Sequence, residues 1–346
     1  MNLAELNKVA AAMVTPGKGI LAADESSPTI KKRFDAIGVE STEQSRRDYR
    51  EMLFRSTEAM SKYISGVILY DETIWQDARD GTPLIRLIEQ SGAIPGIKVD
   101  EGTQGLPNCP GETVTVGLDK LAERLKKYYE RGARFAKWRA VIDIGRGADN
   151  ARVPSMTAIH VNAHALARYA ALCQQAQIVP IVEPEVLMDG DHDIDRCYDV
   201  TSRVLNKTFQ ELRIQRVALE GMILKPNMVV SGMKCAKQAS VAEVAEKTVR
   251  LLKACVPAAV PGIAFLSGGQ SDEDATAHLD AMHRIGSLPW PLTFSYGRAL
   301  QAAPQKAWSG EAENIAAGER AFTHRARMNA LASRGEWEAG LEKKAA

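Results

Sequence analysis

Eight short apolar runs recur along the 346-residue chain, at residues 19–23, 66–70, 94–99, 134–141, 178–182, 221–224, 262–266 and 292–296, each flanked by turn-forming residues. Nearly all are continuously apolar rather than alternating, which is how parallel strands covered on both faces read. Between them lie amphipathic helical patterns with readable ends. The pattern over 118–131 stops at Gly132, placed as a left-handed cap. Ser240 and Glu243 spell a capping box opening a helix that runs to Cys255, and Ser271 precedes an acidic first turn, Asp272-Glu273-Asp274, of a helix ending near Gly286. Strand then helix, eight times over, fits a closed (β/α)8 barrel better than an open doubly wound sheet. The first run continues as Ala22-Ala23-Asp24-Glu25-Ser26, without the glycine-rich phosphate loop that an open nucleotide-binding sheet carries there. No Ser/Gly/Pro-rich linker divides the chain. The expectation is a single TIM-barrel domain over 1–346 with extra N- and C-terminal helices, its barrel core spanning 17–300 and a helix and tail filling 301–346.

Charge and composition remove several classes of function. Lys and Arg number 44 against 43 Asp and Glu, a net charge of +1, so there is no basic field of the kind that draws nucleic acid or a membrane surface. No run approaches the roughly 18 apolar residues of a membrane span, and residues 1–13 carry both signs of charge without the apolar centre of a secretion signal. A cytoplasmic soluble protein is expected. Five cysteines, none in C-x-x-C spacing, read as free thiols rather than a disulfide framework. His160 and His164 have i,i+4 spacing on a helical pattern but lack the glutamate of H-E-x-x-H and read as surface histidines. His192 lies in Asp191-His192-Asp193-Ile194-Asp195, which reads as a weak cation site or, more commonly, as an acidic helix start. Tyr128-Tyr129, with lysines nearby, reads as a solvated helix face rather than an RNA contact.

Three lysines interrupt apolar runs: Ile97-Lys98-Val99, Ala136-Lys137-Trp138 and Leu224-Lys225-Pro226. An ammonium in a strand interior requires a partner, a depressed pKa or a function. Residues two apart in a strand share a face, so Lys137 goes with Arg139, Glu183 with Glu185, and Asp24 with Ser26. All fall at the C-terminal ends of their strands, the face where barrel enzymes assemble their chemistry. Convergent ammonium groups are expected to lower one another's pKa, and a neutral lysine attacks a carbonyl carbon to form a Schiff base, with neighbouring carboxylates moving the protons. Separately, Ser267-Gly268-Gly269 after the seventh run and Ser295-Tyr296-Gly297-Arg298 after the eighth are small-residue turns at the recurrent phosphate site of this fold.

Taken in order, residues 17–26, 96–100, 135–139, 179–185, 224–229, 265–271 and 294–300 resemble the class I, Schiff-base-forming fructose-1,6-bisphosphate aldolases. The resemblance implies that Lys225 forms the iminium with C2 of the ketose, that Glu183 is its general acid and base, and that Lys137 supplies positive charge beside both. It implies that Asp24 acts at the C4 hydroxyl and that Glu185 holds the Lys137/Glu183 network. Ser267, Gly268, Ser295, Gly297 and Arg298 would bind one phosphate end of the substrate. Ser26, Lys98 and Arg139, with Lys32 and Arg33 nearby, would bind the other. It further implies a phosphosugar substrate, no metal, no cofactor and a homotetramer.

Two departures from the family pattern stand out. The last tyrosine is Tyr296, so a tail tyrosine that helps protonate the enamine is missing, and slower release of the second product is expected. Ser26-Ser27-Pro28-Thr29 stands where relatives commonly carry a Thr-Gly-Ser turn, leaving either Thr29 as a substitute phosphate ligand or Pro28 as a reshaped loop. Three rival readings stand beside this one: a metal-dependent aldolase or isomerase, an aldolase for sedoheptulose 1,7-bisphosphate, and a phosphosugar-binding scaffold without turnover.

Overall fold

The computed structural model describes residues 1–145 and 153–344. Eight parallel strands close into a barrel in chain order: β1 Gly19–Ala23, β2 Ile64–Leu69, β3 Ile94–Lys98, β4 Phe135–Ile142, β5 Val179–Val186, β6 Ile223–Leu224, β7 Ile263–Phe265 and β8 Leu292–Tyr296. Closure is made where Ile20 of β1 pairs with Ser295 of β8. Each run expected from the sequence is a strand. The sixth is shorter than its apolar run, because Leu219–Gly221 winds into a 3-10 turn before it. The fifth is longer, carrying Glu183 and Glu185 inside the strand with every residue buried.

An N-terminal helix, α1 (Leu3–Met13), closes the bottom of the barrel. Its buried residues Leu6, Ala10 and Met13 follow the i, i+4, i+7 spacing of one helix face. They join Ile20, Ala22, Ile68, Phe135, Val179, Ile181, Ile223 and Ala264 in a compact apolar cluster that fills the barrel interior. A second, larger cluster lies between the strands and the outer helices. Phe135 needs room to enter the barrel, and Gly96 supplies it: a Cβ there would overlap the phenyl ring.

The outer helices behave as their caps require. The helix Leu121–Arg131 ends at Gly132 with φ 121°, and starts later than its pattern because Lys120 takes a left-handed φ of 56°. Ser240 and Ser271 each cap a helix by accepting from the N–H three residues on. The proline-rich loop after β3 tops a small antiparallel ribbon, Thr103–Gly105 with Thr113–Thr115. After β8 come helices Arg298–Trp308 and Ile315–Ala332, then a 3-10 turn, Ala339–Lys344. Glu342 pins this last turn, accepting from Arg325 at 2.6 Å, from Trp337 Nε1 at 3.0 Å and facing His324 Nε2 at 3.0 Å. None of the described helices is long and apolar enough to cross a membrane.

With the barrel interior filled by a few large side chains, truncation there leaves a void that helices cannot close. Phe135→Ala is expected to lower unfolding stability by about 3–5 kcal/mol, read as a drop in urea midpoint at unchanged slope. A loss under about 1 kcal/mol would mean that the interior collapses around the deletion.

Candidate active site

At the C-terminal end of the strands lies a cavity of about 1010 Å³. Asp24, Ser26, Arg33, Lys98, Lys137, Arg139, Glu183, Glu185, Lys225, Ser267, Gly268, Ser295, Gly297 and Arg298 all line it. Lys32 does not. It sits on the exposed side of helix Ser27–Asp35, one residue and therefore about 100° round the helix from Arg33, which faces inward. Pro28 stands in the first turn of that helix, and the Ser26 and Thr29 hydroxyls lie 3.0 Å apart at the cavity edge.

Strand register decides which charges meet. Arg139 lies beside Glu183 and Val141 beside Glu185. The N–H of Lys225 donates to Val182 O at 2.8 Å, so the lysine leaves β6 next to Glu183. Asn227 fixes this strand end, accepting from the Val186 N–H at 3.0 Å and donating to Thr201 Oγ1 at 3.2 Å. As a result Glu183 lies between two ammonium groups, with Oε1 3.3 Å from Lys225 Nζ and Oε2 3.5 Å from Lys137 Nζ. All three side chains are at least 95% buried, and Glu183 Oε2 accepts no hydrogen bond. Asp24 completes the group, 2.7 Å from Lys137 Nζ.

The lysines therefore do not simply repel one another. Burial works against the Lys137 ammonium, but Asp24 and Glu183 outweigh it and hold its pKa above the ordinary lysine value. Burial likewise opposes the Asp24 carboxylate, yet Lys137 and then Lys225 bring its pKa down to about 2. Mutual depression among the lysines fails at Lys137 because carboxylates from β1 and β5 stand beside it.

The register also puts Lys98 level with Lys137 on adjacent strands. The two part because Lys98 turns to Asp100, meeting Oδ1 at 2.9 Å and donating to its carbonyl at 2.6 Å. Glu185 does not touch Lys137; it is hydrogen-bonded to Arg139, whose pKa rises because this carboxylate outweighs the cost of burial. Arg33 is held by the buried Glu25, which also accepts from Gln301 at 2.6 Å. Asp100 and Glu25 were not assigned roles from the sequence, since an acid next to a strand end shows its partner only after the chain folds.

On the opposite wall, Gly268 takes a left-handed φ of 56° in the turn after β7, and Gly297 precedes the helix Arg298–Trp308. Ser295 Oγ, 1% exposed by residue, has no hydrogen-bond partner. Backbone N–H groups, a helix start, a free hydroxyl and Arg298 together suit a phosphate ester. Met188 and Met233 flank this turn, and neither was expected.

A sequence model described as fructose-bisphosphate aldolase class-I matches residues 5–346. The chain belongs to the class I fructose-bisphosphate aldolase family. It is 57% identical over 339 residues to a probable class 1 fructose-bisphosphate aldolase of Xanthomonas campestris, covering 98% of this chain and 100% of that one. It is 51% identical to the cytosolic fructose-bisphosphate aldolase 4 of Arabidopsis thaliana, covering 96% and 84%. A crystal structure of the Plasmodium falciparum aldolase, in complex with TRAP and a small-molecule inhibitor, superposes with a TM-score of 0.95 at 48% identity, covering 98% of this chain and 96% of that one.

The other singled-out residues lie elsewhere. His160 and His164 face the buried Glu211 at 3.3 and 3.1 Å, beside Lys207, as a clamp between two outer helices. His192 is buried, and the acidic helix start follows it: Asp193 caps the helix and Asp195 lies in its first turn. Tyr128 is buried and donates to Asp71 at 2.7 Å, whereas Tyr129 is exposed. Three of the free cysteines, Cys173, Cys197 and Cys255, are buried. Among the described residues no three His, Cys, Asp or Glu side chains converge as a metal-binding group.

Removing the Lys137 ammonium leaves Asp24 and Glu183, two buried carboxylates, with Lys225 as the remaining lysine of the cluster. Because the folded pKa of Asp24 is below its unfolded value near 3.9, its stabilising contribution is present above pH 4 and lost as pH falls through about 2. In Lys137→Met that loss moves to higher pH, and stability at pH 7 falls by about 3–5 kcal/mol. Urea unfolding from pH 7 to 3 checks this; parallel stability curves for the two proteins would overturn it.

Proposed function

We propose that Lys225 is the nucleophile through which this class I fructose-bisphosphate aldolase cleaves fructose 1,6-bisphosphate to dihydroxyacetone phosphate and glyceraldehyde 3-phosphate. The observation that carries the assignment is Glu183, a buried carboxylate within 3.3 Å of Lys225 and 3.5 Å of Lys137. Glu183 Oε1 takes a proton from Lys225 Nζ, and the amine adds to the C2 carbonyl. Glu183 returns that proton to the C2 oxygen and relays a second one from the nitrogen, so the oxygen leaves as water and the iminium forms. The iminium is the electron sink: as C3–C4 breaks, its cationic nitrogen accepts the electron pair. Asp24, kept ionised by Lys137, receives the C4 hydroxyl proton as the aldehyde forms. Protonation of the enamine at C3 and hydrolysis of the imine release the ketose fragment and restore Lys225. Lys137 remains an ammonium throughout and offsets the negative charge of its two neighbours.

Two anchors set the substrate's direction across this centre. Ser267, Gly268, Ser295, Gly297 and Arg298 take one phosphate, and Ser26, Arg33, Lys98 and Arg139 take the other, with Asp100, Glu25 and Glu185 holding the cations in place. Sedoheptulose 1,7-bisphosphate is the alternative substrate of the same chemistry. The subunit, one barrel domain over 1–346, is assigned to a cytoplasmic homotetramer, a reading supported for location by relatives named as cytosolic.

Borohydride reduction in the presence of dihydroxyacetone phosphate, followed by peptide mapping, is expected to find the adduct on Lys225 alone. Lys225→Met should abolish trapping and Glu183→Gln should slow it by about 100-fold or more. An adduct on Lys98 or Lys137 sinks the assignment.

Among the described residues none after Arg298 lines the cavity, and the terminal turn is pinned by Glu342 on the outer helix Ile315–Ala332. Enamine protonation then falls to groups inside the cavity, and rapid-quench sampling of turnover should show enamine accumulating. Its absence would mean that an outside group reaches C3.

A further inference from the structure

We infer that Met188 and Met233 form a reversible oxidation site built onto the phosphate turn, through which a peroxide-class oxidant weakens binding of phosphorylated substrate. The inference rests on the phosphate reading of the turn Ser267-Gly268-Gly269.

Both methionines line the cavity, and both sulfurs lie on the backbone of that turn. Met188 Sδ accepts the Gly269 N–H at 3.0 Å, and a Cβ at Gly268 would stand only 2.9 Å from the same sulfur. A Cβ at Gly269 would overlap Met233 Sδ. The two residues are also joined through the backbone, the Met233 N–H donating to Met188 O at 2.7 Å. Met188 follows the strand of Glu183 and Glu185, and Met233 lies in the loop that follows Lys225, so the pair sits where two catalytic strands reach the phosphate wall. Met233 is 53% exposed, which opens the pair to small oxidants.

A thioether is a weak acceptor, and a phosphate oxygen competes easily for an N–H it holds. On oxidation a sulfur lone pair attacks the peroxide, the O–O bond breaks, and an S–O bond forms while the peroxide is reduced to water. The sulfur loses two electrons. The product is a polar sulfoxide with a strong acceptor oxygen, and methionine sulfoxide reductases return it to the thioether at the expense of a thiol reductant. On Met188 that oxygen holds the Gly269 N–H and withholds it from the ester. Both sulfurs already stand against the turn, close enough to exclude a Cβ at Gly268 or Gly269, so an oxygen added to either alters the wall of the ester's seat. Lys225, Glu183 and Lys137 are not altered, which confines the effect to affinity.

The test uses the full chain treated with limiting hydrogen peroxide, then dithiothreitol to reverse disulfide and sulfenate oxidation of cysteines. Peptide mapping should find sulfoxide on Met233 and Met188, with Met156, 61% exposed and away from the cavity, as an oxidised bystander. KM for fructose 1,6-bisphosphate should rise about fivefold or more while kcat changes less than about twofold, since one hydrogen bond to a charged group is lost. Methionine sulfoxide reductase should restore the original KM. The double variant Met188→Leu/Met233→Leu, of conserved volume, and the single variant Met233→Leu as a folding safeguard, should lose part or all of the KM response. An equal KM rise in the double variant, or oxidation of Met188 and Met233 with no change in KM, overturns the inference. Arg298→Ala, measured without oxidant, tests the phosphate reading by itself. If its KM does not rise, that reading fails; if it rises while oxidised wild type is unchanged, only the oxidation site fails.

Discussion

Two ammonium groups share one buried carboxylate at the top of the barrel, and the rest of the site is arranged around that fact. Glu183 could not be buried alone, nor could Lys137 or Lys225, because an uncompensated charge in a dry interior costs several kcal/mol. Together with Asp24 they form a cluster of two cations and two anions from four strands or strand ends. The pairing is tight enough to keep Lys137 charged and Asp24 ionised, and looser at Glu183, which meets its two lysines at 3.3 and 3.5 Å and whose Oε2 accepts no hydrogen bond.

That tolerance depends on the opposite end of the molecule. Helix α1 and the large side chains inside the barrel supply a rigid apolar floor, so register between β4, β5 and β6 cannot slip without moving every interior residue to the other face. Register then sets the distances at the top. The molecule thus divides its labour along the barrel axis, with packing below and charge above, and the outer supports, Asp100, Glu25 and Glu185, hold the peripheral cations so that the central four are not drawn toward them.

Much of this was legible before folding, for particular reasons. The eight runs were readable because a strand covered on both faces admits few polar residues, and the same rule made each intruding lysine conspicuous. Lys137 with Arg139, and Glu183 with Glu185, shared faces as the two-residue period demands, and all four line the cavity. Lys32 misled because proximity in sequence to Arg33 says nothing about which side of a helix faces the cavity. That Glu185 bonds Arg139, and that carboxylates rather than repulsion among lysines set the charge of Lys137, depends on what adjacent strands bring alongside. Met188 and Met233, apolar residues in loops, carried no signal at all.

The sequence by itself determined the number and order of the strands, the end of the barrel at which charges gather, and the residue types available for Schiff-base chemistry. These follow from local rules: side-chain periodicity, burial of apolar runs and caps at helix ends. Only the tertiary structure decided which carboxylate serves which ammonium. Lys98 and Lys137 begin level on neighbouring strands, and nothing in their flanking residues tells them apart. Asp100 beside the first, and Asp24 with Glu183 beside the second, separate them. Electrostatic partnership is a property of distances of a few ångströms between groups far apart in the chain, and such distances come into being only when the barrel closes.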